Sequence, residues 1–232
     1  MLFDDQIAAA RPPDWRKLAQ GLHTRYLVDD LGAAARFLAA VAELDDAVGT
    51  HLTAAVGPGR VDLKLVSPDA IYRDEDVEHV VEYVTQQDLD LAERIAQVAA
   101  EHGLTADPAS VASVELGLDT ARSGVVAPVW AALLTGDADS QGRGSPSDEV
   151  RDASGRVPNL WFGDLEEGEA PAQRWHVEVY VAPEAAEQRV AAAVAAGGTV
   201  TEDSRPPGIT VVADQDGNTA ALCVAEPQPS SS

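Results

Sequence analysis

Ser113-Val114-Glu115-Leu116-Gly117-Leu118 and His176-Val177-Glu178-Val179-Tyr180-Val181 are two six-residue stretches at an offset of 63. In each, an aliphatic residue alternates with a polar or small one, the period of a strand with one buried face. Working outward, an Ala-rich helix is expected after each, ending at Gly136 in the first copy and at Gly198 in the second, an offset of 62. Asp152-Ala153-Ser154-Gly155 is matched by Asp214-Gln215-Asp216-Gly217, again at 62. Each copy then runs into a β-prone stretch, Leu160-Trp161-Phe162 and Ala221-Leu222-Cys223-Val224. Landmarks repeated at offsets of 62 to 63 read as two copies of a strand-helix-strands module. Each copy alone leaves a sheet face uncovered, so the two are expected to pack together. Residues 137–149 read as a loop inside the first copy and 227–232 as a flexible tail.

The half before the repeat reads differently. Asp14 to Leu22 predicts a short helix after Pro12-Pro13, and Thr24 to Val28 a strand. Leu31 to Val48 predicts a helix, with Leu31, Ala35, Leu38 and Val41 at helical spacing. His51 to Val56 and Val61 to Val66 form a hairpin around Gly57-Pro58-Gly59. Asp74 to Tyr83 is acidic and is expected to be helical. Gln87 to His102 is an amphipathic helix that Gly103 stops. The pattern changes at Thr105-Ala106-Asp107-Pro108. The whole is an α+β protein of two domains, 1–106 and 107–226, the second built from two copies of the strand-helix-strands module.

The 232 residues carry 39 acidic and 16 basic side chains, a net charge of −23 with a pI near 4.3. Such a surface repels phosphate backbones and anionic lipid, so nucleic acid and membrane are expected not to be partners. A single cysteine, Cys223, excludes an internal disulfide and a multi-cysteine metal site. The start lacks the basic and apolar runs of a secretion signal, and no apolar stretch reaches the roughly 18 residues of a membrane span. A cytoplasmic protein is expected, with a homo-oligomer left open.

The repeat resembles the vicinal oxygen chelate superfamily, the glyoxalase and bleomycin-resistance group. The residues that carry this are Trp130-Ala131-Ala132-Leu133-Leu134, Leu160-Trp161-Phe162, Arg174-Trp175-His176-Val177-Glu178-Val179, Ala195-Ala196-Gly197-Gly198 and Asp214-Gln215-Asp216-Gly217-Asn218. The resemblance covers about 110–226 and implies paired βαβββ modules that fold a sheet around a small-molecule cavity. It also implies a divalent metal held by one side chain on the first and last strand of each module. Here those positions read Ser113, Val157, His176 and Thr219, which offer one imidazole. No metal and no cofactor are therefore expected. Glu115 and Glu178 lie two residues further along, on the same strand face as Ser113 and His176. His176 with Glu178 is a candidate acid/base pair or a two-ligand remnant of a metal site, and Trp161, His176 and Glu115 are candidate ligand-binding residues.

Residues 14–102 resemble pterin-4a-carbinolamine dehydratase. The carriers are Trp15, Tyr26, Phe37, Thr50-His51, Val61-Asp62-Leu63-Lys64-Leu65 and Gln87-Asp88-Leu89-Asp90-Leu91-Ala92. That family dehydrates a 4a-hydroxytetrahydropterin, using an adjacent His-His-Pro and a later Thr-His to move protons. Here the corresponding positions read Thr50-His51-Leu52 and Ser67-Pro68. His51 remains, with Asp88 as its candidate catalytic partner, and His79 lies in the acidic stretch between them. Three functions follow. The first is a small-molecule binding protein with a metal-free glyoxalase-like cavity. The second is a 4a-hydroxytetrahydropterin dehydratase, a hydro-lyase. The third is a metal-free lyase, isomerase or cyclase.

Overall fold

In the computed structural model, the residues described are 1–10, 12–44, 48–74, 77–135, 139–140, 149–151, 158–166, 174–205, 208–213 and 219–224. The chain opens with helix α1 (Asp4–Ala10), then a tight hairpin of β1 (Arg16–Leu18) and β2 (Gly21–Leu27). Helix α2 (Leu31–Ala42) follows, started by Asp30, whose side chain accepts the Ala33 backbone N–H at 2.7 Å. One turn of helix, α3 (Val48–His51), leads into β3 (Leu52–Gly57), β4 (Arg60–Leu65), β5 (Ser67–Asp74) and β6 (Val77–Tyr83). Then come α4 (Gln86–Glu101) and the short β7 (Thr105–Ala106).

The first sheet has the order β1-β2-β4-β3, with β7 also on β2. Its alternation places Leu22, Tyr26, Val61, Leu63 and Leu65 on one face, where Ile7 of α1, Phe37 and Val41 of α2, and Leu91 and Ile95 of α4 meet them. Helix α4 ends at Gly103, whose φ of +67° is a conformation that favours glycine. Strands β5 and β6 form a separate two-stranded ribbon.

Two expected helices in this half are strands. The stretch Asp14 to Leu22 holds β1 and the start of β2; the helix lies earlier, at Asp4–Ala10. Arg16, Lys17 and Leu18 pair with His23, Leu22 and Gly21, so satisfying an open strand edge outweighs local helix preference. In the stretch Asp74 to Tyr83, Asp74 ends β5 and Val77–Tyr83 is β6, with Val80 and Val81 opposite Ile71 and Ala70, and β-branched side chains suit that pleat better than a helix. The helix expected to run to Val48 stops at Ala42, and His51 ends the short α3 instead of opening a strand.

A 3-10 turn at Pro108–Ser110 leads to the second sheet. Its elements are β8 (Ala112–Thr120), α5 (Ser123–Thr135), β9 (Leu160–Asp164), β10 (Trp175–Val181), α6 (Pro183–Ala195), β11 (Thr199–Arg205), β12 (Ile209–Ala213) and β13 (Thr219–Val224). The strand order is β11-β12-β13-β10-β8-β9. From β10 onward a full βαβββ unit is present. The first unit shows β8, α5, β9 and an antiparallel bridge from Val150 to Leu160. The expected landmarks at Gly136, Asp152 to Gly155 and Asp214 to Gly217, the position Val157, the tail 227–232 and most of the loop 137–149 lie outside the described residues.

The pairing of β8 with β10 carries a pseudo-twofold relation. Glu115 sits opposite Glu178, Gly117 opposite His176, and Ser113 opposite Tyr180. The offset of 63 maps this ladder onto itself. The parallel partners repeat with a one-residue change: Leu116 pairs with Leu160 as Val179, 63 residues on, pairs with Leu222, 62 residues on. Each module packs its helix on the same side of the sheet. Ala127 and Ala131 of α5 meet Leu118, Leu160 and Phe162, while Ala186 and Val190 of α6 meet Val181, Leu222 and Val224. The opposite face is left to the polar set of the alternation.

Candidate functional site

The polar face of the second sheet is laid out in three rows by the strand register. One row holds Ser113, Tyr180, Cys223 and Ile209; the middle row holds Glu115, Glu178, Ala221 and Val211; the third holds Gly117, His176, Thr219 and Ala213. Trp161 pairs with Gly117 from the other side and so joins the third row.

In that third row the Trp161 and His176 rings stack, with centroids 5.2 Å apart and 23° between planes. Gly117 makes this possible. A Cβ there would lie 2.2 Å from His176 Cδ2, 2.6 Å from its Nε2 and 2.8 Å from Trp161 Cζ2. A glycine inside a strand marks such a close approach. His176 Nε2 is 3.4 Å from Asp119 Oδ1 without forming a hydrogen bond to it. Both His176 Nε2 and Trp161 Nε1 are shielded from solvent and have no hydrogen-bond partner among the described residues.

The middle row places two carboxylates face to face. Glu115 is buried, and burial pushes its carboxyl above the usual range, helped by the nearby Glu149 and Glu178 charges; Gln20 and Asn159 oppose this by hydrogen bonding it. Asn159 Nδ2 reaches Glu115 Oε1 and Gln20 Oε1, both at 3.3 Å. Glu178 Oε2 accepts from Tyr180 Oη at 2.8 Å. Gln20 belongs to the β1–β2 turn, so the first half reaches onto this face. Arg16 does the same at the rim, donating to Glu184 of α6 at 2.6 Å.

The side chains implied for a divalent metal do not fit one. Ser113, His176 and Thr219 supply one imidazole and two hydroxyls, and no three His, Cys, Asp or Glu converge among the described residues.

The first half holds a second cluster. His51 Nδ1 lies 2.8 Å from Asp88 Oδ1, and both side chains are buried. Ser67 Oγ donates to Asp88 Oδ2 at 2.7 Å and stands 3.2 Å from His51 Nδ1 and 2.7 Å from Thr85 Oγ1. Asp88 Oδ2 also accepts the Thr85 backbone N–H at 2.7 Å, so the carboxylate caps α4 as well as holding the imidazole. An acceptor on Nδ1 keeps the proton of a neutral ring there and leaves Nε2 free to take one. Ser67 meets the same ring nitrogen as Asp88, which is not the geometry of a nucleophilic triad. His79 is elsewhere, on β6 against the Tyr72 ring.

Residues 2–98 match the family Pterin 4 alpha carbinolamine dehydratase, and residues 115–223 match the family Glyoxalase-like domain. The chain joins a pterin dehydratase-like domain to a glyoxalase-like domain. Among solved structures, it is similar to a glyoxalase/bleomycin resistance protein/dioxygenase superfamily member from Vibrio splendidus 12B01. That similarity is at 15% identity over 49% of this chain and 99% of that one, with a TM-score of 0.30. No curated protein matches the sequence. No helix among the described residues is long and apolar enough to cross a membrane.

Of the candidate residues, His51 and Asp88 are in contact in the dehydratase-like domain. His176, Glu178, Glu115 and Trp161 share one face of the glyoxalase-like sheet. The sequence shows Ser67 only as a departure from a family position, and it assigns no role to Thr85, Gly117, Asp119, Lys17 and Gln20. Thr85 and Asp88 carried a visible cap signature, and Gly117 inside an alternating strand was a second signal. Lys17 and Gln20 carried none, since their role arises only when the two halves meet.

Proposed function

We propose that this protein binds a small organic molecule on the polar face of the glyoxalase-like sheet, at the Trp161–His176 stack, without a metal. One observation carries this: two adjacent ring nitrogens, shielded from water, have no hydrogen-bond partner among the described residues. Leaving such a group unpaired costs about 1–3 kcal/mol, and a ligand that presents a carbonyl or carboxylate oxygen to Trp161 Nε1 recovers it. An apolar ring wall with few convergent polar groups is the usual make-up of a ligand pocket. The reading includes the division into residues 1–106 and 107–226. The test is a thermal-shift screen of the full chain against pterins and aromatic carboxylic metabolites, followed by titration of the hits by calorimetry. Trp161→Phe and His176→Ala should each weaken a hit at least tenfold. Hits unaffected by both, or no hits at all, would overturn the reading.

A second reading is favoured by the 2.8 Å contact of His51 with Asp88. Here the chain is a hydro-lyase acting on a 4a-hydroxytetrahydropterin. The Nε2 of His51 handles the proton and Asp88 fixes its tautomer, a contribution of roughly 10²–10⁴ in rate. Turnover of that substrate, lost in His51→Ala, would establish it; no turnover above the uncatalysed rate would remove it.

A further inference from the structure

A cavity of about 310 Å³ lies at the opposite end of the same sheet face, between the two halves. Asp4, Lys17, Ala19, Gln20 and Tyr83 line it from the first half; Glu178, Tyr180, Gly208, Ile209, Cys223 and Val224 line it from the second. It opens over the Tyr180, Cys223 and Ile209 row, whereas the Trp161–His176 stack belongs to the third row. It is also separate from the His51–Asp88 cluster.

The hydrogen-bonding capacity of its wall is one-sided. Tyr83 Oη donates its proton to Asp4 Oδ1 at 2.8 Å, and Tyr180 Oη donates its proton to Glu178 Oε2 at 2.8 Å. Both phenols have therefore spent their only proton on a carboxylate and keep only acceptor lone pairs. Each carboxylate keeps acceptor capacity as well. Among the described residues of the wall the one cation, Lys17, is buried, and its donors are engaged: it bonds the Ala19 carbonyl, lies 3.5 Å from Asp4 Oδ1 and sits 4.4 Å above the Tyr83 ring. Cys223 is a neutral thiol directed at the Ala221 carbonyl, with burial pushing its pKa up to about 12. Counting Asp4, Glu178 and Lys17, the described residues of the wall are acceptor-rich and carry one excess negative charge. Ile209, Val224 and the Tyr83 ring supply apolar surface beside it.

We infer that this cavity binds an organic cation rich in N–H donors, an amidinium, guanidinium or primary ammonium carried on a small apolar body. The cation answers the unmatched acceptors of Glu178 and Asp4, its body covers Ile209 and Val224, and an aromatic face beside a cation adds attraction. A volume near 300 Å³ is at the small end of ligand pockets, which limits the body to about one ring or a short chain. The net charge of −23 further favours cations over anions around the molecule.

The test is calorimetric titration of the full chain with benzamidine, with benzamide and benzoate as neutral and anionic matches of the same shape, at 0.15 M salt. Benzamidine should bind saturably at one site, at least tenfold tighter than benzamide, with no binding of benzoate. Glu178→Gln should weaken it about tenfold, and Asp4→Asn, at a more exposed position, should weaken it severalfold. Retained far-ultraviolet circular dichroism in both variants separates lost binding from lost fold. Benzoate binding as well as benzamidine, a non-saturating cation response, or full affinity in both variants would overturn the inference.

Discussion

Replacing Gly117 with Ala tests the aromatic site most directly. The added methyl would fall 2.2 Å from His176 Cδ2 and 2.8 Å from Trp161 Cζ2, well inside van der Waals contact. The backbone at Gly117 is held by β9 on one side and β10 on the other, so it is the rings that must give way. Overpacking of this kind costs about 1–3 kcal/mol, and the broken ring pair accounts for about 0.5–1.5 kcal/mol of that. A loss of about 2 kcal/mol lowers Tm by roughly 4–8 °C for a chain of this length. Urea denaturation would measure the loss, and near-ultraviolet circular dichroism would report the changed tryptophan environment. Removing the ring with His176→Ala makes room for the methyl. The Gly117→Ala cost in that background should therefore shrink by at least about 1 kcal/mol. A Gly117→Ala protein with native stability and an unchanged near-ultraviolet spectrum would refute the proposed role of this glycine, and so would an equal cost in both backgrounds.

Three further outcomes are expected. Ala19 holds φ at +47° in the β1–β2 turn, a conformation that costs a residue with a side chain about 1–2 kcal/mol, so Ala19→Gly should raise stability by about 1 kcal/mol in a urea melt. Burial raises the Glu115 pKa in the folded state, so the fold binds its proton more tightly than the unfolded chain does. Wild-type stability from this group is full below the unfolded value and falls as pH rises through the folded value. The stability of Glu115→Gln relative to wild type should therefore climb from pH 4 to pH 8, and a flat difference would contradict the assignment. Asp88→Asn exchanges an acceptor-only carboxylate for an amide among the donors from Ser67, His51 and the Thr85 N–H; it should cost about 1–3 kcal/mol, measured by the same melt.

Much of the second sheet was legible because its signal is periodic. Alternation in 113–118 and 176–181 assigns each side chain to a face, and a common offset implies a twofold relation before any contact is known. That is why Glu115, Glu178 and His176 could be placed together. The His51–Asp88 contact was approachable through family positions, and Asp88 through its place in the first turn of a long helix. The errors share a cause. Strand β1 has three residues and exists because β2 offers it an edge, and the valines of β6 become a strand only against β5, so neither is decided by its own sequence alone. The cavity was invisible for the same reason at longer range. Its lining joins Lys17 and Tyr83 to Glu178 and Cys223, and no local pattern encodes a meeting across that much chain.

The turn that sets Gln20 on Glu115 and Arg16 beside Glu184 also limits how freely the two halves can be exchanged. A glyoxalase-like module taken alone would turn its paired glutamates to water, without the amide that now covers one of them. A dehydratase-like module joined to a different partner would keep Lys17 on Asp4 and Tyr83 but lose the Glu178 and Tyr180 wall that faces them across the cavity. Recombination that shuffles such modules as independent cassettes would therefore have to carry this seam along with them. Hybrids that keep residues 16–20 and the middle row of the second sheet from the same parent should be the ones that survive.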